Sequence, residues 1–150
     1  MDPEPEMLRE AASHATTAGV TNVRLVEGGS DELEGMKSAL GENPKRVHGD
    51  QKKTPSTRLG TAAVIRGALV DAANYLARID AEQRKPEDER NPVSRDLKLE
   101  ALGLVLRREI PWRQHCHRAD DIATAIRIAD EFGYDLVIDH GTEAHLLAAI

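Results

Sequence analysis

The sequence predicts an α/β protein built on a parallel sheet. Three observations carry that reading: strand-length apolar runs alternate with helical ones, two of those runs end in histidine, and one amphipathic helix joins the two. The informative stretch is Ile110 to Gly141, IPWRQHCHRADDIATAIRIADEFGYDLVIDHG. Its first run, Ile110 to Cys116, and its second, Tyr134 to His140, have the length and β-branched content of buried parallel strands. Between them Ile122, Ala125, Ile126, Ala129 and Phe132 recur at helical spacing, and Gly133 follows as the stop. A right-handed crossover lays such strands side by side, about 4.8 Å apart, with both carboxyl ends on one rim.

The other elements alternate in the same way. Pro5 to Ala18 reads as a helix stopped by Gly19, and Thr21 to Glu27, TNVRLVE, alternates as a strand. Gly28 to Gly35 is rich in turn formers, and a short strand at Met36 to Leu40 runs into a polar stretch, Gly41 to Arg58, expected to be a loop. Ala62, Ile65, Leu69, Ala72 and Leu76 mark a long helix from about Leu59 to Gln83. RKPEDERN, Arg84 to Asn91, opens a charged, exposed connection over about residues 84–94, and a helix from about Arg95 to Arg108 leads into the first histidine-bearing strand. A final helix is expected from Thr142 to Ile150. There is no internal repeat, and residues 1–150 read as one domain.

Period-2 alternation sends His115 and His117 to one side of their strand and Cys116 to the other. In the second strand Leu136, Ile138 and His140 share a face, with Asp139 turned away. An isolated strand-end histidine is usually a hydrogen-bonded structural residue, so the signal is the matched pair. His115 and His140, at the carboxyl ends of neighbouring strands, are expected to bring their side chains within about 4 to 7 Å of each other and to converge on one metal ion.

Composition excludes some classes. A net charge of −6 with interspersed Lys and Arg argues against a nucleic-acid surface, and no block of like charge suggests an anionic-membrane patch. No apolar run approaches the ~20 residues that span a bilayer. One cysteine gives no disulfide framework, and MDPEPEMLRE is unlike a signal or transit peptide. A cytoplasmic location is expected.

The run HCHRADDIATAIRIADEFGYDLVIDHGTEAH resembles the stretch around the fifth and sixth barrel strands of metal-dependent amidohydrolases, in their imidazolonepropionase-like branch. MKSALGENPKRVHG (Met36 to Gly49), TPSTRLG (Thr54 to Gly60) and DLKLEAL (Asp96 to Leu102) resemble that branch too, in the same order, so the likeness runs from about Met7 to Ile150. It implies a partial (β/α)8 TIM barrel covering roughly the second to sixth strands. It also implies hydrolysis of an amide or cyclic amide by water activated on a divalent metal, Zn being expected, with a small-molecule amide as substrate.

Carried over, the resemblance makes His115 and His140 metal ligands after the fifth and sixth strands. The family commonly has His-Ala-His where this chain has His115-Cys116-His117, and His117 becomes a substrate contact. The third ligand is a glutamate in some relatives and a carboxylated lysine in others. Here the candidates are Glu42 and Lys37, with Glu42 favoured because a carboxylate needs no modification to bind metal. On the catalytic rim of such a barrel the basic stretch after Gly41 holds a substrate carboxylate through Arg46 or Arg58. The family's first-strand His-x-His and eighth-strand aspartate have no match here, and a whole barrel takes about 250 residues. The expectation is therefore an internal piece of a barrel, inactive alone and prone to associate through open sheet edges. The competing expectation is a non-catalytic α/β remnant that pairs those edges with another chain.

Overall fold

Strands β1 (Met36–Ala39), β2 (Trp112–Cys116) and β3 (Leu136–His140) form a parallel sheet in the order β1-β2-β3. The computed structural model describes residues 35–147. The helix expected over Pro5 to Ala18, the strand over Thr21 to Glu27, nearly all of the turn after it and the last three residues of the expected final helix lie outside the described residues. Among the described residues four α-helices accompany the strands: α1 (Glu42–Asp50), α2 (Arg58–Gln83), α3 (Leu97–Leu106) and α4 (Ala119–Phe132). The register sets Lys37 beside Arg113, Ala39 beside His115, His115 beside Asp139, and Cys116 beside His140.

One face of the sheet is covered and carries the core. Trp112, Gln114, Cys116 and Leu136 are buried there, against Ile65 and Leu69 of α2, Val105 of α3, and Ile122, Ala125, Ile128 and Ala129 of α4. Apolar burial of this kind, about 25 cal/mol per Å², is what orders the helices on the sheet. The buried Gln114 is satisfied: its Oε1 accepts from Trp112 Nε1 at 3.0 Å and from Ser38 Oγ at 2.7 Å. The opposite face presents Lys37, Ala39, Arg113, His115, Val137 and Asp139, which remain partly or fully exposed among the described residues.

The helices form where periodicity and caps agree. α4 buries its apolar stripe and stops at Gly133, whose φ of 71° is left-handed and whose N–H bonds Ala129 O at 2.7 Å. α2 is capped by Thr57, whose hydroxyl accepts from the Gly60 N–H at 3.0 Å, and α3 by Asp96, which accepts from Lys98 and Leu99. The buried stripe of α2 ends in Tyr75 rather than Leu76; Leu76 instead packs over Gly103 of α3.

Two expectations are corrected. The stretch after Gly41 is not simply a loop, since its first half is α1. That helix buries no residue, so it has no apolar stripe to betray it, and its Pro44 sits in the first turn, where proline is tolerated. The helix expected to begin at Thr142 is, in its described part, only a short 3-10 turn at Ala144–Leu146. The segment is held back against the sheet by bonds from Gly141 N–H to Cys116 O (3.0 Å) and from Glu143 N–H to His117 O (2.9 Å). Among the described residues no helix is long and apolar enough to cross a membrane.

Candidate metal centre

Because all three strands run parallel, their carboxyl ends share one rim, and three imidazoles meet there. His115 is the penultimate residue of β2, on the face away from the helices; His117 follows the strand; His140 closes β3. The rings of His115 and His140 lie 4.5 Å apart, centroid to centroid, edge to face at 76°. His117 is 4.9 Å from each of them, stacked on His140 at 20°.

The alternation expected in β3 needs correcting at its end. Leu136 faces the helices, so strict alternation would send His140 there as well, yet His140 is exposed at the rim. Its φ of 75°, followed by 50° at Gly141, breaks the pleat and turns the ring toward the other two histidines. Asp139, expected to face away, shares a face with His115: Arg113 donates to its Oδ1 at 3.0 Å, and Lys37 pairs with its Oδ2 from across the sheet. Burial pushes the Asp139 carboxyl up, but these two cations outweigh it and hold it below the usual carboxylate range.

Each of two imidazoles has a fixed partner. Asn43, in the first turn of α1, sets its amide Nδ2 2.8 Å from His115 Nε2, and Thr142 Oγ1 is 3.0 Å from His117 Nδ1. Partial burial, then the neighbouring His140 and His117, then Lys37, lower the His115 pKa, and Asp139 offsets them only in part. His115 therefore favours the neutral form that ligates metals.

Two of the other sequence candidates, Glu42 and Arg58, share an ionic network of their own. Glu42 is exposed and pairs with Lys45 at 3.4 Å and Arg58 at 3.6 Å. Arg58 also meets Asp120 at 3.3 Å and Asp121 at 3.6 Å, so it ties α1 to the start of α4 instead of standing open on the rim. Burial raises the Asp121 pKa, with Arg58 opposing. Arg46 is exposed on α1. Lys37, the alternative third ligand, is engaged by Asp139.

The imidazole pair sets two nitrogen-bearing rings on neighbouring strand ends, and partial burial favours in His115 the neutral form that a divalent cation needs. A carboxylate does not complete the set as the side chains stand. Among the described residues no group of three His, Cys, Asp or Glu side chains is positioned to hold a metal ion. Sequence reasoning passed over Asn43, Thr142 and the Asp139 pairing. The first two carry no periodic signal, whereas counting alternation outward from Leu136 finds the third.

No family model matches the chain. It is 35% identical over 123 residues to the amidohydrolase tasK of Hapsidospora irregularis, a match covering 77% of this chain and 12% of that protein. In structure it is similar to an amidohydrolase from Thermotoga maritima MSB8, with a TM-score of 0.71 and 53% identity, over 75% of this chain and 29% of that one. The chain thus spans 12% of the curated relative and 29% of the solved one. Over the matched stretch it is related to amidohydrolases in sequence and in fold, as an α/β unit with the parallel strands of a partial (β/α)8 barrel.

Proposed function

We propose that this chain carries the histidine part of the metal centre of an amidohydrolase that cleaves a C–N bond in a small-molecule amide or cyclic amide. The observation that carries the reading is the 4.5 Å approach of His115 and His140 at the ends of adjacent parallel strands. Imidazole donors suit zinc, and a bound Zn²⁺ would bring the pKa of its water toward ~7 and polarise the amide carbonyl. His115 and His140 would hold such an ion through their ring nitrogens. His117, stacked on His140, faces the substrate. Glu42 starts α1 at the same rim and completes the ligand set by leaving Lys45 and Arg58; Lys37 is the alternative if it gives up Asp139. Arg46, exposed beside them, is available to a substrate carboxylate, and Arg58 becomes available only when its three acidic partners release it.

Turnover in this reading also needs a water-activating base and further ligands of the kind the rest of such a barrel provides, so the 150-residue chain by itself is expected to bind metal without hydrolysing amides. A cytoplasmic setting, which keeps the lone Cys116 reduced, fits the reading. Calorimetric titration of the purified chain with Zn²⁺ tests it. One ion per chain is expected, with at least about a tenfold loss of affinity in His115→Ala and in His140→Ala, since losing even a group behind a metal ligand costs about 10–100-fold. Affinity that survives both substitutions would favour the non-catalytic remnant.

A further inference from the structure

Of the three rings at the rim, His117 and His140 are exposed and His115 is half-buried. Laid against His115 is the first turn of α1, where the Asn43 amide Nδ2 stands 2.8 Å from the ring's Nε2. That turn has no apolar anchor, because no residue of α1 is buried. The segment is seated instead at both its ends, on one carboxylate. Gly41, which leads into α1 at φ 91°, is packed so closely on Asp121 that a Cβ there would stand 2.5 Å from Oδ2. Arg58, which opens α2, brings its Nε within 3.6 Å of Asp121 Oδ1. Gly41 to Arg58 thus leaves the sheet and returns at a single buried point on α4, as a strap at the rim.

We propose that this strap is a hinged cover for His115 and that Arg58 is its latch, a positioning residue that acts on the ring through α1. Besides Asp121, Arg58 reaches Glu42 in the first turn of α1 at 3.6 Å and Asp120 in the first turn of α4 at 3.3 Å. Glu42 and Asp120 are exposed, so solvent screens those two arms; Asp121, 8% exposed, makes the firm one. A cover held in this way opens without unfolding. The Glu42 arm breaks, α1 swings on Gly41, and Asn43 leaves the imidazole, while Asp121 keeps both ends of the strap in place. Glycine suits that hinge, since a left-handed backbone costs it little. The cover decides when a small molecule in solution reaches His115, whereas His117 and His140 stay open to it. The latch needs no metal ion, so it stands or falls apart from the reading of the rim as a metal centre.

The test labels the metal-free chain with diethyl pyrocarbonate and reads each histidine by peptide mass spectrometry, with amide hydrogen exchange alongside. In the wild type His117 and His140 should react several times faster than His115. Arg58→Gln should speed His115 labelling about threefold to tenfold and exchange in α1 by the same factor, with α2, α4 and the other two rings unchanged. Glu42→Gln removes only the exposed arm to α1 and should shift both readings the same way, by up to about fivefold. It keeps the test decisive if loss of Arg58 disturbs the core. His115 labelled as fast as His140 in the wild type, or labelled at the wild-type rate in both variants, overturns the latch. Acceleration that spreads equally through α2 and α4 overturns it too, because Arg58 would then support the fold as a whole.

Discussion

Asp139 stands in register with His115 on the adjacent strand and reaches back across β2 to pair with Lys37 on β1, so one carboxylate ties all three strands on the open face of the sheet. Arg113, between them, is the second cation on that carboxylate and is 15% exposed. Lys37 is 56% exposed, so its share of the pairing is screened by solvent.

Replacing Asp139 with Asn should cost about 1–3 kcal/mol in urea denaturation, because the largely buried Arg113 loses its charged bond to this carboxylate. Lys37→Ala should cost under about 1 kcal/mol. The Asp139 carboxyl is held below its unfolded value near ~3.9, so its contribution is fully present above that value and is lost as pH falls through the folded one. In Asp139→Asn the loss of stability below about pH 4 should flatten relative to wild type. Equal acid sensitivity in both proteins would show that the pairing contributes little.

Gly41→Ala should destabilise by about 2 kcal/mol or more, from a left-handed backbone forced on an L side chain and from contact with Asp121 Oδ2. Adding Asp121→Ala should recover the part due to contact and leave the backbone part. Full stability in the single variant would contradict the packing described for this turn.

The Cys116 thiol is fully buried under the helices, and burial pushes its pKa up to about 12. Iodoacetamide at pH 8 should therefore leave the native chain unlabelled and modify it only at the rate of unfolding. Rapid native labelling would mean that the covered face of the sheet opens readily.

The β2-α4-β3 unit was the most legible part of the sequence, because the stripe of Ile122, Ala125 and Ala129 and the stop at Gly133 are strong local signals that burial then reinforces. α1 was illegible for the opposite reason: its contacts are ionic and its only large apolar residue, Val47, is 47% exposed. The rim position of His115 followed from strand polarity alone. The orientation of His140 did not, since it depends on a positive φ that no side-chain pattern announces. Thr142 and Leu146 look like the start of a helix, yet Glu143 instead caps α4 by accepting from Ala119 N–H at 2.9 Å. Tertiary bonds override the local preference there.

X-ray absorption at the zinc K-edge of the Zn²⁺-loaded chain reads out whether His115 and His140 hold one divalent cation between them. At least two imidazole nitrogens are expected at about 2.0–2.1 Å, with one fewer in His140→Ala. A shell of oxygen atoms alone, or a spectrum that His140→Ala leaves unchanged, would contradict it.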